Sequence, residues 1–163
     1  VEIDLHKALA YYAKAAEVKD SPHVYYAKMD QALLLQHLGR HLDAFKIHTD
    51  IVHDADPVRD KEPIEIAKLS LGRYHLRNDI QGIPHNPALS FQLWTELVET
   101  TQHPDAFYWL GSCYDEGIPN VCDIDRSKAF LLFMTAAELG DVDSMFTVIF
   151  VFFSFSFLLL LTP

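Results

Sequence analysis

Histidine and aspartate are the side chains of this sequence best suited to bind a metal ion, and they are densest near the middle of its first half. His48, His53, Asp54 and Asp56 lie close together along the chain, and imidazole and carboxylate groups are common metal ligands. The same residue types also suit a helix end, where histidine interacts favourably with the C-terminus and aspartate caps the next element. We interpret the group as a helix end and expect no metal.

A second possible ligand pair is His37 and His41, four residues apart, a spacing that places two side chains on one helix face. Gly39 lies between them and predicts a turn, so the pair is not expected to share a face. Cys113 and Cys122 are too few for a four-ligand zinc site. Two alternatives remain open for them: one disulfide in an oxidising compartment, or a buried thiol and an exposed one.

The sequence lacks the short motifs that position a catalytic nucleophile, a zinc-bound base or a phosphate. It contains no Gly-x-Ser-x-Gly, no His-Glu-x-x-His and no phosphate-binding glycine loop. The carboxylates have the spacing of solvated helix faces. We therefore expect no catalytic residue, no cofactor and no enzymatic activity.

The charge of the chain restricts its partners. There are 23 acidic and 13 basic residues, which give a formal net charge of -10. Phosphate backbones are bound by clustered lysine and arginine, so nucleic acid is not an expected partner. The expected partners are one or more neutral or basic proteins or peptides. The lysines are scattered along the chain, which also argues against a groove that clamps a terminal carboxylate.

Aromatic residues provide the candidates for protein binding. Tyr25, Tyr26 and Tyr108 are the ones we expect to be exposed and to anchor a peptide, because exposed aromatics are common at interfaces. The other aromatics recur at corresponding positions and are predicted to pack helix against helix: Tyr11, Tyr12, Tyr74, Phe91, Trp94, Trp109, Tyr114 and Phe133.

The elements that position these residues repeat along the chain. The segment 7–17 returns as 128–138 with Lys, Ala, an Ala-Ala pair and Glu at a constant offset. Similar helices can be read from Ala44 and Ala88, so the four leading alanines (Ala8, Ala44, Ala88, Ala129) are 36 to 44 residues apart. That period is typical of paired-helix repeats.

Each of these helices has a predicted partner. Segments 67–74 and 106–114 are similar, and each is followed by a Gly-Ile-Pro loop that begins at Gly82 or Gly117. Glycine permits positive φ after a helix, and proline prevents the helix from resuming. Asp4 and Asp125 are predicted N-caps. The sequence thus predicts eight helical segments and no strand before residue 145.

The pattern in residues 106–140 resembles the consensus of the Sel-like repeat (SLR), which is related to the tetratricopeptide repeat. The resemblance is good in residues 4–17 and weaker in 66–98, whereas 39–57 resembles a tetratricopeptide unit. The residues that correspond to the repeat signature are Ala8, Ala15, Ala16, Leu71, Gly72, Tyr74, Gly82, Leu110, Gly111, Tyr114, Gly117, Ala129, Ala136, Ala137 and Gly140.

This resemblance implies an all-α fold, a right-handed superhelix of antiparallel α-hairpins. It also implies an adaptor or scaffold, since members of the family include adaptors in endoplasmic-reticulum quality control and in the activation of fungal cell-wall synthases. Residues 1–146 are expected to form one array of about four helix pairs, incomplete at both ends.

Residues 147–163 form an apolar tail that runs uncharged from Val148 to the end. Three interpretations are open: a membrane anchor, translation into a retained intron, or a buried terminal helix. The uncharged run is shorter than the ~20 residues that a spanning helix needs. The chain begins at Val1 with no targeting signal, so we expect a fragment and favour a cytoplasmic location, with membrane association as the alternative if the tail is genuine.

Overall fold

The computed structural model describes residues 4–18 and 21–149. Within these residues, seven α-helices are formed: α1 (Leu5–Ala16), α2 (Val24–His37), α3 (His41–Asp54), α4 (Lys61–Leu76), α5 (Pro87–Thr100), α6 (Pro104–Glu116) and α7 (Arg126–Glu138). Residues 142–149 form a further helical segment. Over the described ranges no strand occurs, only an isolated bridge between Ile118 and Cys122. The prediction of an all-α chain with eight helical segments is confirmed.

Aspartate side chains begin several of these helices, as the sequence predicts. Asp4 accepts a hydrogen bond from the backbone N–H of Lys7 at 2.9 Å, and Asp125 accepts one from Lys128 at 3.0 Å. These bonds satisfy N–H groups that have no partner within the helix. The two corresponding copies of the repeat therefore begin with the same cap.

The two Gly-Ile-Pro loops adopt the predicted conformation. Gly82 and Gly117 have φ angles of 87° and 73°, which residues other than glycine rarely adopt. After each loop, the residue that begins the next helix donates its N–H to the end of the preceding helix. Asn86 donates to the carbonyl of His75 and Asp125 to that of Tyr114, each at 2.8 Å. Each helix pair is thus closed by the same backbone bond.

The structure divides into two compact units, with the boundary between Ser90 and Phe91 inside α5. Unit 1 ends at Ser90, and α2 packs there against both α1 and α3. Small residues lie where these helices meet, and Ala32, Ala44 and Ala67 have no exposed surface. They allow close approach and leave room for the larger residues of the core: Met29, Leu35, Ile51, Tyr74 and Ile83.

Unit 2 begins at Phe91, and its main helix pair is α6 with α7. Gly111 lies against the Phe133 ring, so closely that a Cβ at this position would be 2.9 Å from Cε1. Trp94 is fully buried and stacks on Trp109, with ring centroids 5.6 Å apart. Gly111, a residue of the repeat signature, therefore lets the Phe133 ring of α7 pack directly on the backbone of α6.

The repeat-signature alanines differ in burial between α7 and α1. Ala129 and Ala136 are buried, whereas Ala8 and Ala16 are half-buried and Ala15 is exposed. Helix α1 has no buried residue. The prediction that Tyr11 is a core residue is wrong: its side chain is 62% exposed, because α1 packs on α2 through its opposite face.

The predicted apolar tail lies mostly beyond the described residues, since residues 150–163 are not described. Throughout residues 4–18 and 21–149, no helix has both the length and the apolar composition needed to cross a bilayer.

His48 is buried in unit 1 and is neutral at physiological pH. It has no exposed surface, and its Nε2 accepts a hydrogen bond from the Gln36 amide nitrogen at 3.4 Å. Burial, and to a lesser degree the charge of Arg73, lowers the pKa of His48 from 6.5 to about 4. A histidine that is protonated more easily when unfolded destabilises the fold as the pH falls.

We expect the free energy of unfolding to be highest above pH 6.5 and to fall as the pH is lowered towards 4, because the unfolded chain then binds a proton that the folded chain does not. Between pH 7 and pH 4.5, the pKa difference corresponds to a loss of about 2 kcal/mol. Urea titrations at these two pH values measure it. His48→Leu should remove most of the dependence, and the exposed control His53→Gln should retain it; equal pH dependence in both variants would contradict the assignment.

Gly111→Ala is expected to destabilise unit 2. The added Cβ would lie 2.9 Å from a buried aromatic ring that itself packs on Tyr108. Overpacking costs about 1–3 kcal/mol, and the better helix propensity of alanine returns up to about 1 kcal/mol. Urea unfolding should show a net loss, whereas the neighbouring Ser112→Ala should change stability little. A Gly111→Ala variant as stable as the parent protein would mean that the contact is not tight.

Candidate protein-binding surface

An open groove of about 460 Å³ lies in unit 1 between α1 and α3, with α2 as its floor. Helix α1 lines it with His6, Leu9, Ala10 and Ala13. Their spacing of three and four residues places them on one helix face. Because two of the four are alanines, this face does not fill the space between the helices. The groove is therefore a direct consequence of small residues on α1.

The floor and the opposite wall of the groove combine apolar and polar side chains. Leu35 of α2 and Ile47 of α3 belong to the core or pack directly on it, so their positions are fixed by the fold. The remaining lining residues are Gln31, Arg40, Asp43 and Lys46. A mainly apolar lining with a few polar groups at the edge is typical of a site that binds apolar side chains.

The charges at the groove edge partly cancel. Arg40 donates from Nε and Nη2 to Oδ2 of Asp43, at 2.9 and 2.7 Å. This pair is largely exposed and contributes little to stability. Because its charges cancel, the net positive charge of this wall comes from Lys46. A cationic group beside Lys46 would therefore be repelled, whereas an apolar side chain would not.

Tyr25 and Tyr26 lie on α2, outside the groove lining. Both are half-buried. Tyr25 donates its hydroxyl hydrogen to the carbonyl of Asp54 at 2.8 Å, and Tyr26 donates to Oε2 of Glu62 at 3.2 Å. The ammonium of Lys28 lies 5.1 Å from the centroid of the Tyr25 ring. The two tyrosines thus form one surface at the N-terminal end of α2, and part of each ring remains accessible.

Tyr108, the third candidate, lies on α6 in unit 2. It is half-buried and packs edge-on against Trp109 and at an angle against Phe133, with centroid distances of 5.3 and 5.7 Å. The structure therefore brings Tyr25 and Tyr26 together and leaves Tyr108 among the aromatics of the other unit. Its role in binding stays a prediction.

The groove could have been anticipated from one feature of the sequence. Ala10 and Ala13 fall on one face of α1, a face that also carries Leu9 and would otherwise present large side chains. An apolar helix face interrupted by alanine indicates a depression. The aromatic residues do not indicate it, because no Phe, Trp or Tyr is among the described residues that line the groove.

The group of histidines and aspartates from 48 to 56 does not form one site. His48 faces the core, whereas His53 is exposed and its Nδ1 lies 2.7 Å from Oδ1 of Asp54. This contact raises the pKa of His53 and lowers the pKa of Asp54. Asp56 caps the following turn by accepting from the N–H groups of Val58 and Arg59. In the described part of the chain, no group of three or more potential ligands could hold a metal.

Both cysteines are free thiols in the structure. Cys113 is buried, and burial raises the pKa of its thiol to about 12. Cys122 is half-buried and donates from Sγ to the carbonyl of Cys113 at 3.3 Å. Of the two alternatives, the structure agrees with two free thiols and not with a disulfide. Cys113 is buried as expected, whereas Cys122 is less exposed than expected.

A family model described as the Sel1 repeat matches residues 1–20, 66–97 and 104–141, which together exceed half of the chain. The chain belongs to the Sel1 repeat family. Sel1 repeats are generally protein-interaction modules. Comparison with curated proteins and with solved structures finds no match for this chain.

The matched stretches confirm the resemblance at each place where the sequence showed it, including the weaker copy at 66–97. They cover α1, most of α4 and of α5, and α6 with α7. Helices α2 and α3 lie outside the Sel1 matches, and their likeness to a tetratricopeptide unit stays a prediction. In the structure they form a helix pair like the others, and they supply two sides of the groove.

Proposed function

We propose that this Sel1 repeat protein is a protein-interaction scaffold or adaptor with no catalysis of its own. The observation that carries the proposal is the apolar groove between α1 and α3. A partner segment would bind there by inserting apolar side chains against Leu9, Leu35 and Ile47. Because Leu35 is buried in the core and Leu9 and Ile47 pack against it, the site is largely formed before binding, which reduces the entropy lost on association.

The partner that we propose is neutral or basic overall. From Phe91 onward the chain has ten acidic and two basic residues, so most of the net charge of -10 lies in that half. A negatively charged region attracts a basic partner and speeds their encounter, and it disfavours partners that are themselves negatively charged. It also disfavours nucleic acid. Binding should therefore be driven by apolar contacts in the groove and accelerated by the acidic half.

A substitution in α1 tests the groove. Ala10→Trp should fill it and weaken the binding of partner segments at least tenfold, because the inserted ring would occupy their place. Tyr11→Trp is the matched control, since Tyr11 is the next residue, is exposed and does not line the groove. Ligands would be selected with the full chain from a displayed library of random peptides, and their affinities measured by fluorescence polarisation.

Circular dichroism should show both variants folded, since neither position is buried. The proposal is contradicted if the selected ligands bind Ala10→Trp as tightly as the parent protein. It is equally contradicted if the library yields no ligand that depends on the groove.

A further inference from the structure

A second, smaller cavity in unit 1 is lined, as far as the described residues go, by side chains that carry a hydrogen-bond donor. It measures about 70 Å³ and lies where the end of α2, the start of α3 and the last turns of α4 meet. Its lining consists of Gln36, His41, Ser70, Arg73, Tyr74 and Arg77. Each of these residues has an N–H or O–H group, and none has a carboxylate. Such a lining is suited to an anionic acceptor.

The Tyr74 hydroxyl is the feature of this cavity that the fold leaves unexplained. Tyr74 is 4% exposed, and its ring is held edge-on by His41 and Phe45 at centroid distances of 6.1 and 5.8 Å. The hydroxyl is buried, and its oxygen lies close enough to the Gln36 amide nitrogen to accept from it; the same nitrogen donates to His48. The O–H hydrogen itself has no acceptor among the described residues. A buried donor without an acceptor is unfavourable, and the acceptor that would satisfy it belongs in the cavity.

The electrostatics of the cavity favour a negative group. Arg73 lies in the last turn of α4, Arg77 immediately follows the helix, and both line the cavity. Arg77 already donates from Nε and Nη2 to the two oxygens of Asp79 at 2.9 and 2.7 Å, so a group in the cavity would share this guanidinium with that carboxylate. Asp79 is not part of the lining. His41 is the first residue of α3, where the helix N-terminus adds positive potential.

The size of the cavity restricts the anion. A volume of about 70 Å³ corresponds to roughly two water molecules, given about 30 Å³ for each. A carboxylate group fits within this volume. A carboxylate also accepts several hydrogen bonds at once, which matches a lining made of donors.

We propose that this cavity binds a carboxylate group, with the Tyr74 hydroxyl as a donor to one of its oxygens. Gln36 and the two arginines complete the donor set. The site is distinct from the groove between α1 and α3 and does not rest on the function proposed for that groove. The carboxylate belongs either to a small free acid or to the C-terminus of a peptide, and the chemistry of recognition is the same.

The test uses the full chain labelled with nitrogen-15, and sodium acetate as the probe. Acetate is titrated at constant ionic strength against sodium chloride, and the side-chain N–H signals of Gln36, Arg73 and Arg77 are followed by NMR. We expect saturable shifts with a millimolar dissociation constant. Tyr74→Phe should weaken binding at least threefold, because it removes one donor and keeps the ring. Tyr114→Phe, at the corresponding repeat position, should leave binding unchanged.

Several results would overturn the proposal: shifts that increase linearly without saturation, equal shifts with chloride, or equal affinity in Tyr74→Phe and the parent protein. Each would mean that the cavity holds only water. Acetate should also raise the melting temperature of the parent protein and not that of Tyr74→Phe. If that variant failed to fold, Gln36→Met would remove a different donor from the same lining.

Two peptides identify the source of the carboxylate. An acetylated tripeptide with a free C-terminus should bind more tightly than acetate, and the same peptide with an amidated C-terminus should not bind, if the natural ligand is a peptide terminus. Equal binding of acetate and the free peptide indicates a small acid. Ala10→Trp, which fills the groove, should not change acetate binding, so the two sites can fail separately.

Discussion

Close approach between neighbouring helices is the constraint on which the rest of the structure depends. In unit 1 it is provided by alanines without exposed surface, and in unit 2 by Gly111 against the Phe133 ring. A repeat unit cannot bury its apolar face alone and must pack on its neighbour. Small residues at the crossings determine how near that neighbour comes, and where they occur on an outer face they leave a groove instead of a contact.

The same residue type therefore has two consequences. Ala44 and Ala129 lie at crossings and are buried, so they bring helices together. Ala10 and Ala13 lie on the face of α1 that borders the groove, where none of the seven named helices fills the space between α1 and α3. Helix packing and the groove thus derive from one feature of the sequence, the position of alanine relative to the helix pairs.

Most of the fold could be predicted because the signals are local and repeated. The caps at Asp4 and Asp125 and the turns at Gly82 and Gly117 depend on residues within a few positions of each other. The Tyr11 prediction failed because burial depends on what packs over a helix face, which the repeat pattern alone does not state. For the same reason the groove could not be located from the aromatics.

The cavity at Tyr74 shows a further limit of sequence reasoning. Scattered lysines in the sequence argue against a carboxylate clamp, whereas the fold brings Arg73 in the last turn of α4 and Arg77 just after it beside residues from two other helices. The His48 side chain is a similar case. It belongs to a polar group in the sequence, yet the helix directs it into the core, where it is neutral.

Hydrogen–deuterium exchange on the full chain, with and without a selected peptide ligand, tests the central claim most directly. Binding in the groove predicts added protection in residues 6–13 of α1 and 40–47 of α3, which line it, with no change in α6 or around Tyr25 and Tyr26. Protection confined to the tyrosine surface or to unit 2, with the groove unchanged, would contradict the account.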